Sequence, residues 1–269
     1  MQSILEICEK LREEKPLIHC ITNPISINQC ANAVLAVGAR PMMAEHPKEV
    51  REITETAGAL MLNLGNITDA RLASMQISAQ TASKKGIPIL LDAVGTACSK
   101  LRRDYVCEMF KTVMPTVIKG NYSEINALYH ETYRSSGVDT DAALDVRALD
   151  AVAVELARTY HTVILASGKV DIVTNGTRLI HIKNGTPQLA EITGTGCMLG
   201  ALAASYLSVK PDMDAAITAC VMLGICGQLA ETDRGSGSFM VNLMDALSTM
   251  KSTDIEQLMD MEEIEIEGL

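Results

Sequence analysis

The sequence predicts an α/β protein: a mostly parallel central sheet with helices on both faces and an antiparallel hairpin late in the chain. Three observations carry this. Short β-rich runs alternate with longer helical segments. Several of those runs are apolar throughout, as strands covered on both faces are. Asn175-Gly176 separates two β-rich runs, the composition of a tight hairpin turn.

Taken in order, the first fifteen residues read as an amphipathic helix with Ile4, Ile7, Cys8 and Leu11 on one face. Strands are expected at 17–21, 59–64, 87–92, 116–119, 162–166, 171–174 and 179–182. Helices are expected at 26–37, 68–85 and 142–159. Strand–helix alternation implies right-handed crossovers and parallel pairing, whereas 170–175 and 178–183 flank the Asn-Gly turn and pair antiparallel. The chain then turns helical over 197–231 and 242–250. Residues 131–141, ending in Gly137-Val-Asp-Thr140, form the loopiest stretch and read as a surface excursion. No proline-rich or glycine-serine linker divides the chain, so one domain over 1–269 is expected.

Composition narrows the function classes. Aromatics make up 3% and Trp is absent, so the interior is built from Ala, Val, Ile, Leu and Met, with fifteen Met as gap-fillers. Few rings argue against stacking single-stranded nucleic acid, and a net charge of −10 without a basic run argues against duplex binding. An acidic surface does not forbid an anionic substrate, because a few local donors outweigh a distant, screened field. Cysteines stand at 8, 20, 30, 98, 107, 197, 220 and 226 with no CxxC pair and no zinc-type Cys/His spacing. Nearly all are expected to be buried thiols in a reducing cytosol. The N-terminus carries no signal pattern, and the longest hydrophobic stretch, 197–209, is too short to span a bilayer. A cytoplasmic protein with no membrane partner is the expectation.

The chemistry is written in Glu191-Ile-Thr-Gly-Thr-Gly-Cys197, directly before a helix of small residues. Two glycines there let the backbone turn tightly and aim amides, with the helix dipole, at an anion such as a phosphoryl group in flight. An ordinary glycine turn before a buried helix explains the segment equally well. Cys197, at the helix N-terminus, is open to reading as a general base, an inert thiol or a covalent nucleophile. Asp92 ends an apolar strand, and Glu124 follows Asn121 by three residues at a helix start. On sequence alone each acid reads as a cap or surface charge, and Met43 as a core methionine.

A Gly-x-Gly turn before a late helix resembles the anion hole of the ribokinase-like superfamily. Most of that superfamily has Asp after the second glycine, and the hydroxyethylthiazole kinases are the branch with Cys, as at Cys197. The other landmarks agree. His19-Cys-Ile-Thr-Asn23, Ala31-Asn32 and Gly38-Ala-Arg-Pro-Met-Met-Ala44 are similar to that family's opening. Leu91-Asp-Ala-Val-Gly95 resembles LDPVG, and Lys119-Gly-Asn-Tyr-Ser-Glu124 resembles RGNxxEI. Ser167-Gly-Lys-Val-Asp171 matches [ST]GxxD, and Gly235-Ser-Gly-Ser-Phe239 resembles GPGSF.

The resemblance implies a ribokinase-like three-layer fold and ATP- and Mg²⁺-dependent phosphorylation of hydroxyethylthiazole in thiamine salvage. It implies Gly194, Thr195, Gly196 and Cys197 at the phosphoryl group, with Lys119, Ser167 and Asn121 on ATP. Asp92 and Glu124 would attend Mg²⁺, usually through water. Met43, Gly194 and Asn23 would line the thiazole pocket, shared between subunits of a trimer. Four positions depart from the pattern: Lys119 for Arg, which keeps the charge but loses the bidentate fork, Ala93 for Pro, Ala97 for Gly, and Ser236 for Pro.

Overall fold

The computed structural model describes residues 2–130 and 146–266. The described strands form one nine-stranded sheet in the order β2-β1-β3-β4-β5-β6-β7-β8-β9. β1 (Leu17–Ile21), β2 (Arg40–Met42), β3 (Ala59–Asn63), β4 (Ile89–Asp92), β5 (Val117–Asn121) and β6 (Val163–Ser167) pair in parallel. β7 (Asp171–Thr174), β8 (Leu179–Ile182) and β9 (Met261–Ile264) add on antiparallel, with the expected hairpin between β7 and β8.

Period-two alternation sorts the strand side chains. In β3, Ala59 and Met61 join one core cluster while Leu60 and Leu62 join another on the opposite face. The first cluster is covered by α1 (Gln2–Glu14), α2 (Ile27–Ala36), α8 (Thr195–Leu207), α9 (Met213–Ala230) and α10 (Ser236–Thr249). The second face packs on α4 (Asp69–Lys85) and α5 (Lys100–Phe110), and further along on α6 (Tyr122–Tyr129) and α7 (Val146–Tyr160). Helices on both faces complete the three layers. α1 buries Ile4, Ile7, Cys8 and Leu11, the stripe its sequence shows.

Several boundaries differ from the sequence expectation. β4 starts at Ile89 because Ile87 and Pro88 precede the ladder, and Pro has no N–H to give it. The helical run at 197–231 is two helices, split where Pro211 follows α8 and the Asp212 side chain caps α9 through Asp214 N–H. Residues 131–145, which hold the expected surface excursion and the first part of the helix expected at 142–159, lie outside the described residues. α9 is long and apolar enough to cross a membrane, with a mean hydropathy of 1.6, but 83% of it is buried inside the fold. It is the only such helix among the described residues, and it serves as a core helix.

Cys8, Cys20, Cys30, Cys220 and Cys226 are buried. Burial pushes the Cys8 thiol up to about 11 and those of Cys30 and Cys226 to about 12, so none supplies a thiolate near neutrality. Cys98 and Cys107 are exposed. α5 turns Val106 and Met109 inward, which leaves Cys107 on its outer side.

Candidate active site

Three polar side chains stand in a row at the carboxyl ends of adjacent parallel strands. Register pairs Asn63 of β3 with Asp92 of β4, and Asp92 with Lys119 of β5. All follow the parity that sends Met61, Leu90 and Val117 toward α8, so the row lies under that helix. This is the edge at which open α/β sheets bind ligands.

The row is hydrogen-bonded end to end and sealed from water. Lys119 Nζ donates to Asp92 Oδ1 at 3.0 Å, and Asn63 Nδ2 donates to Asp92 Oδ2 at 2.9 Å. Burial pushes the Asp92 carboxyl upward, while Lys119 and then Asn63 work against it. On Lys119 burial opposes the charge, but Asp92, Glu124 and Cys197 outweigh it and raise the ammonium's pKa. A fixed positive charge therefore sits in a site of low dielectric, where it acts strongly.

Above the row, Gly194 caps α8 with φ 99°, a left-handed backbone that glycine adopts without strain. The first helical bond runs from Met198 N–H to Gly194 O, so the amides of Thr195, Gly196 and Cys197 have no partner within the helix. No side chain caps this end. The Thr195 hydroxyl instead donates back to Leu189 O at 2.8 Å, fixing the approach to the turn. A Cβ on Gly196 would lie 3.5 Å from Lys119 Nζ, which places the ammonium against the turn. A Cβ on Gly200, one turn on, would come within 2.8 Å of Met61 Cε and 3.3 Å of Asp92 Oδ2, so glycine there lets the helix settle onto the row.

Cys197 is half-buried, and its sulfur accepts from Asn63 Nδ2 at 3.3 Å and Asn23 Nδ2 at 3.4 Å. Asn23 Nδ2 also donates to Asn63 Oδ1, and Asn23 Oδ1 accepts from the Ile25 and Ser26 amides. Every polar atom of both carboxamides is engaged, so their orientation is fixed. Neither can remove a proton from a thiol, which separates this arrangement from a Cys–His nucleophile.

Glu124 and Asn121 form a reciprocal capping box on α6: Asn121 Oδ1 accepts from Glu124 N–H, and Glu124 Oε2 accepts from Asn121 N–H. Glu124 Oε1 accepts from Gly95 N–H at 2.7 Å, bringing the loop after β4 to the same place. Burial raises the Glu124 carboxyl to about 7 against the pull of Lys119. Among the described residues no group of three His, Cys, Asp or Glu side chains is placed to hold a metal ion. Asp92 and Glu124 already accept hydrogen bonds at both oxygens, so they suit a hydrated cation, approached through water, better than a bare one.

Ser167 ends β6 in register with Asn121, and its hydroxyl donates to Gly120 O at 3.3 Å. The following turn is seated on Tyr122, whose ring carbons lie 2.5 Å from where a Gly168 Cβ would be. Asp171 Oδ1 accepts from Gly168 N–H, and burial lifts its carboxyl to about 6. Met43 is half-buried and packs on the same core cluster as Cys197. Asn63, the hub of the network, is the residue sequence reasoning missed. Its signal was positional: it follows Met61 by two in an alternating strand and so faces the same way.

Residues 8–253 match the model of the hydroxyethylthiazole kinase family. The chain belongs to that family. Its likeness to other hydroxyethylthiazole kinases extends over nearly whole chains. Hydroxyethylthiazole kinase 2 of Clostridium botulinum (strain Hall) is 45% identical over 93% of this chain and 96% of its own. Hydroxyethylthiazole kinase of Finegoldia magna is 39% identical over 98% of each chain. The solved hydroxyethylthiazole kinase of Pyrococcus horikoshii superposes with a TM-score of 0.90 at 33% identity, covering 98% of this chain and all of that one. A ribokinase-like superfamily protein of Enterococcus faecalis, with a TM-score of 0.65 at 14% identity over 90% of this chain and 93% of its own, shares the fold. The ribokinase-like architecture expected from the glycine turn is the one the chain adopts.

Proposed function

We propose that this kinase transfers the γ-phosphoryl group of ATP to the primary hydroxyl of 4-methyl-5-(2-hydroxyethyl)thiazole, a step of thiamine salvage. The observation that carries it is the open amide turn at Gly194 with the Lys119 ammonium against Gly196 and the Cys197 sulfur beside both.

The hydroxyl oxygen bonds to the γ-phosphorus as the bond to the bridging oxygen of ADP breaks. The amides of Thr195, Gly196 and Cys197, with Lys119, hold the charge on the migrating group. Cys197 accepts the hydroxyl proton directly or assists in orienting the hydroxyl, its sulfur steadied by Asn23 and Asn63. A loose transition state asks little of that base. Ser167 and Asn121 flank the nucleotide, and Met43, Gly194 and Asn23 the thiazole. Magnesium on the triphosphate would neutralise charge there, with Asp92 and Glu124 as acceptors for its water. We include in the proposal a single domain, a cytoplasmic setting and a trimer whose subunits share the acceptor pocket.

A coupled ADP-release assay over the thiazole alcohol, hydroxymethylpyrimidine and a small sugar tests this. Stoichiometric ADP release with the thiazole, and much less with the others, is expected. Preference for another alcohol would reassign the acceptor. ATP binding with no turnover of any alcohol would mark a silent binding protein, the alternative motivated by Lys119 in place of Arg and by the altered loops at Ala93, Ala97 and Ser236.

A further inference from the structure

His19 sits in the middle of β1, fully buried, and takes no part in the chemistry above. Its Nε2 lies 2.9 Å from Ala44 O and its Nδ1 2.9 Å from Thr54 Oγ1, which in turn lies 2.7 Å from Val50 O. A carbonyl oxygen only accepts, so Nε2 carries a proton. Charging the ring changes only which way the Thr54 hydroxyl points. In either state His19 donates to Ala44.

Ala44 follows Met43, where the chain leaves β2, and the next residue is held as firmly. Ser74 Oγ donates to Glu45 O at 2.7 Å, and Arg71 Nε donates to Glu45 Oε2 at 2.9 Å. Arg71, itself buried, also donates to Asn66 O. Two consecutive carbonyls of an irregular segment are thus tied down by buried side chains of β1 and α4. Met43, directly before them, packs on the other core cluster, the one Cys197 joins. Register sets His19 opposite Met42, so the strand pair and the imidazole fix this corner together.

We propose that His19 is a positioning residue for the acceptor: through the Ala44 carbonyl it holds Met43 against the bound alcohol and sets affinity for it, leaving phosphoryl transfer alone. The proposal rests on the placement of Met43 in the acceptor pocket. The test compares His19→Leu, which fills space without a donor, with His19→Gln, which restores an amide N–H at similar reach. Ser74→Ala loosens the neighbouring carbonyl and serves if His19→Leu does not accumulate folded.

For His19→Leu we expect KM for the thiazole alcohol to rise about tenfold, the effect of one lost hydrogen bond at a binding loop, with kcat at saturation and KM for ATP within about twofold of wild type. His19→Gln should recover most of the affinity, and Ser74→Ala should move the same constant alone. An unchanged acceptor KM in His19→Leu, or equal losses for both substrates that Gln does not repair, overturns the proposal. Absence of thiazole turnover in the wild type would instead refute the function itself, so the two failures are separable.

Discussion

Lys119 and Asp92 form an ion pair at 3.0 Å with both side chains out of water, and Asn63, Gly196 and Gly200 close on it. Removing one partner strands the other charge. Lys119→Met should destabilise the fold by about 3–5 kcal/mol and abolish turnover, as read by denaturant unfolding and ADP release. Equal stability in the variant would mean that Asp92 is protonated and the pair is not ionic.

Cys197→Asp should remain active. The Asn23 and Asn63 N–H groups that reach the sulfur at 3.4 and 3.3 Å would donate to a carboxylate instead. Single-turnover ADP release above background checks this. Folded but inert protein would reject Cys197 as the base.

Gly194→Ala combines two penalties, a side chain at φ 99° and a Cβ 3.2 Å from that of Ser26. The backbone strain costs roughly 1–3 kcal/mol. Because this turn would cradle the phosphoryl group, kcat should fall at least about tenfold while ADP binding persists. Calorimetric titration with ADP beside steady-state rates separates the two effects.

Glu124 makes stability depend on pH in a set direction. Its folded value, about 7, lies above the ordinary 4.5, so the native state binds the extra proton between the two. Its contribution is fully present below pH 4.5 and is lost as pH rises through 7, about 3 kcal/mol in all. Thermal melts of the wild type should weaken across this window, and those of Glu124→Gln should be flatter. Parallel curves would refute the assignment.

Ala93→Pro tests a departure from the family pattern. Here the Ala93 N–H donates to Lys119 O at 2.7 Å, extending the β4–β5 ladder past Asp92, and proline has no such hydrogen. We expect a loss of about 1 kcal/mol in unfolding free energy.

Much of this architecture was legible in sequence because the central strands are apolar on both faces. β1, β7 and β8 occupy the expected residues. β2 was not legible: three residues with Pro41 among them, Arg40 and Met42 open to solvent, carry no strand pattern. β9 was not legible either, since its exposed Glu262 and Glu263 look like a tail until β8 supplies a partner. In the site, glycines and acids in motif order were visible, and the structure brings Asp92, Lys119, Gly196, Cys197 and Asn23 together. Asn63 belongs to no motif, and its place beside Asp92 follows from strand register, a three-dimensional fact. The exposed thiols Cys98, in the turn before α5, and Cys107, on the outer side of α5, differ from the expectation because hydropathy does not say which way a single cysteine faces.

The sheet is wound almost in chain order, only β2 stepping outside its predecessor. Asn63, Asp92 and Lys119 consequently arise from successive strand–helix units, each joined to its neighbour by a short excursion of chain. The Gly194 turn arrives much later, after the β7–β8 hairpin has been laid down. During synthesis the charged floor is therefore specified early and its amide roof last, and a ribosome-bound intermediate lacking α8 should leave the Lys119–Asp92 pair uncovered to solvent.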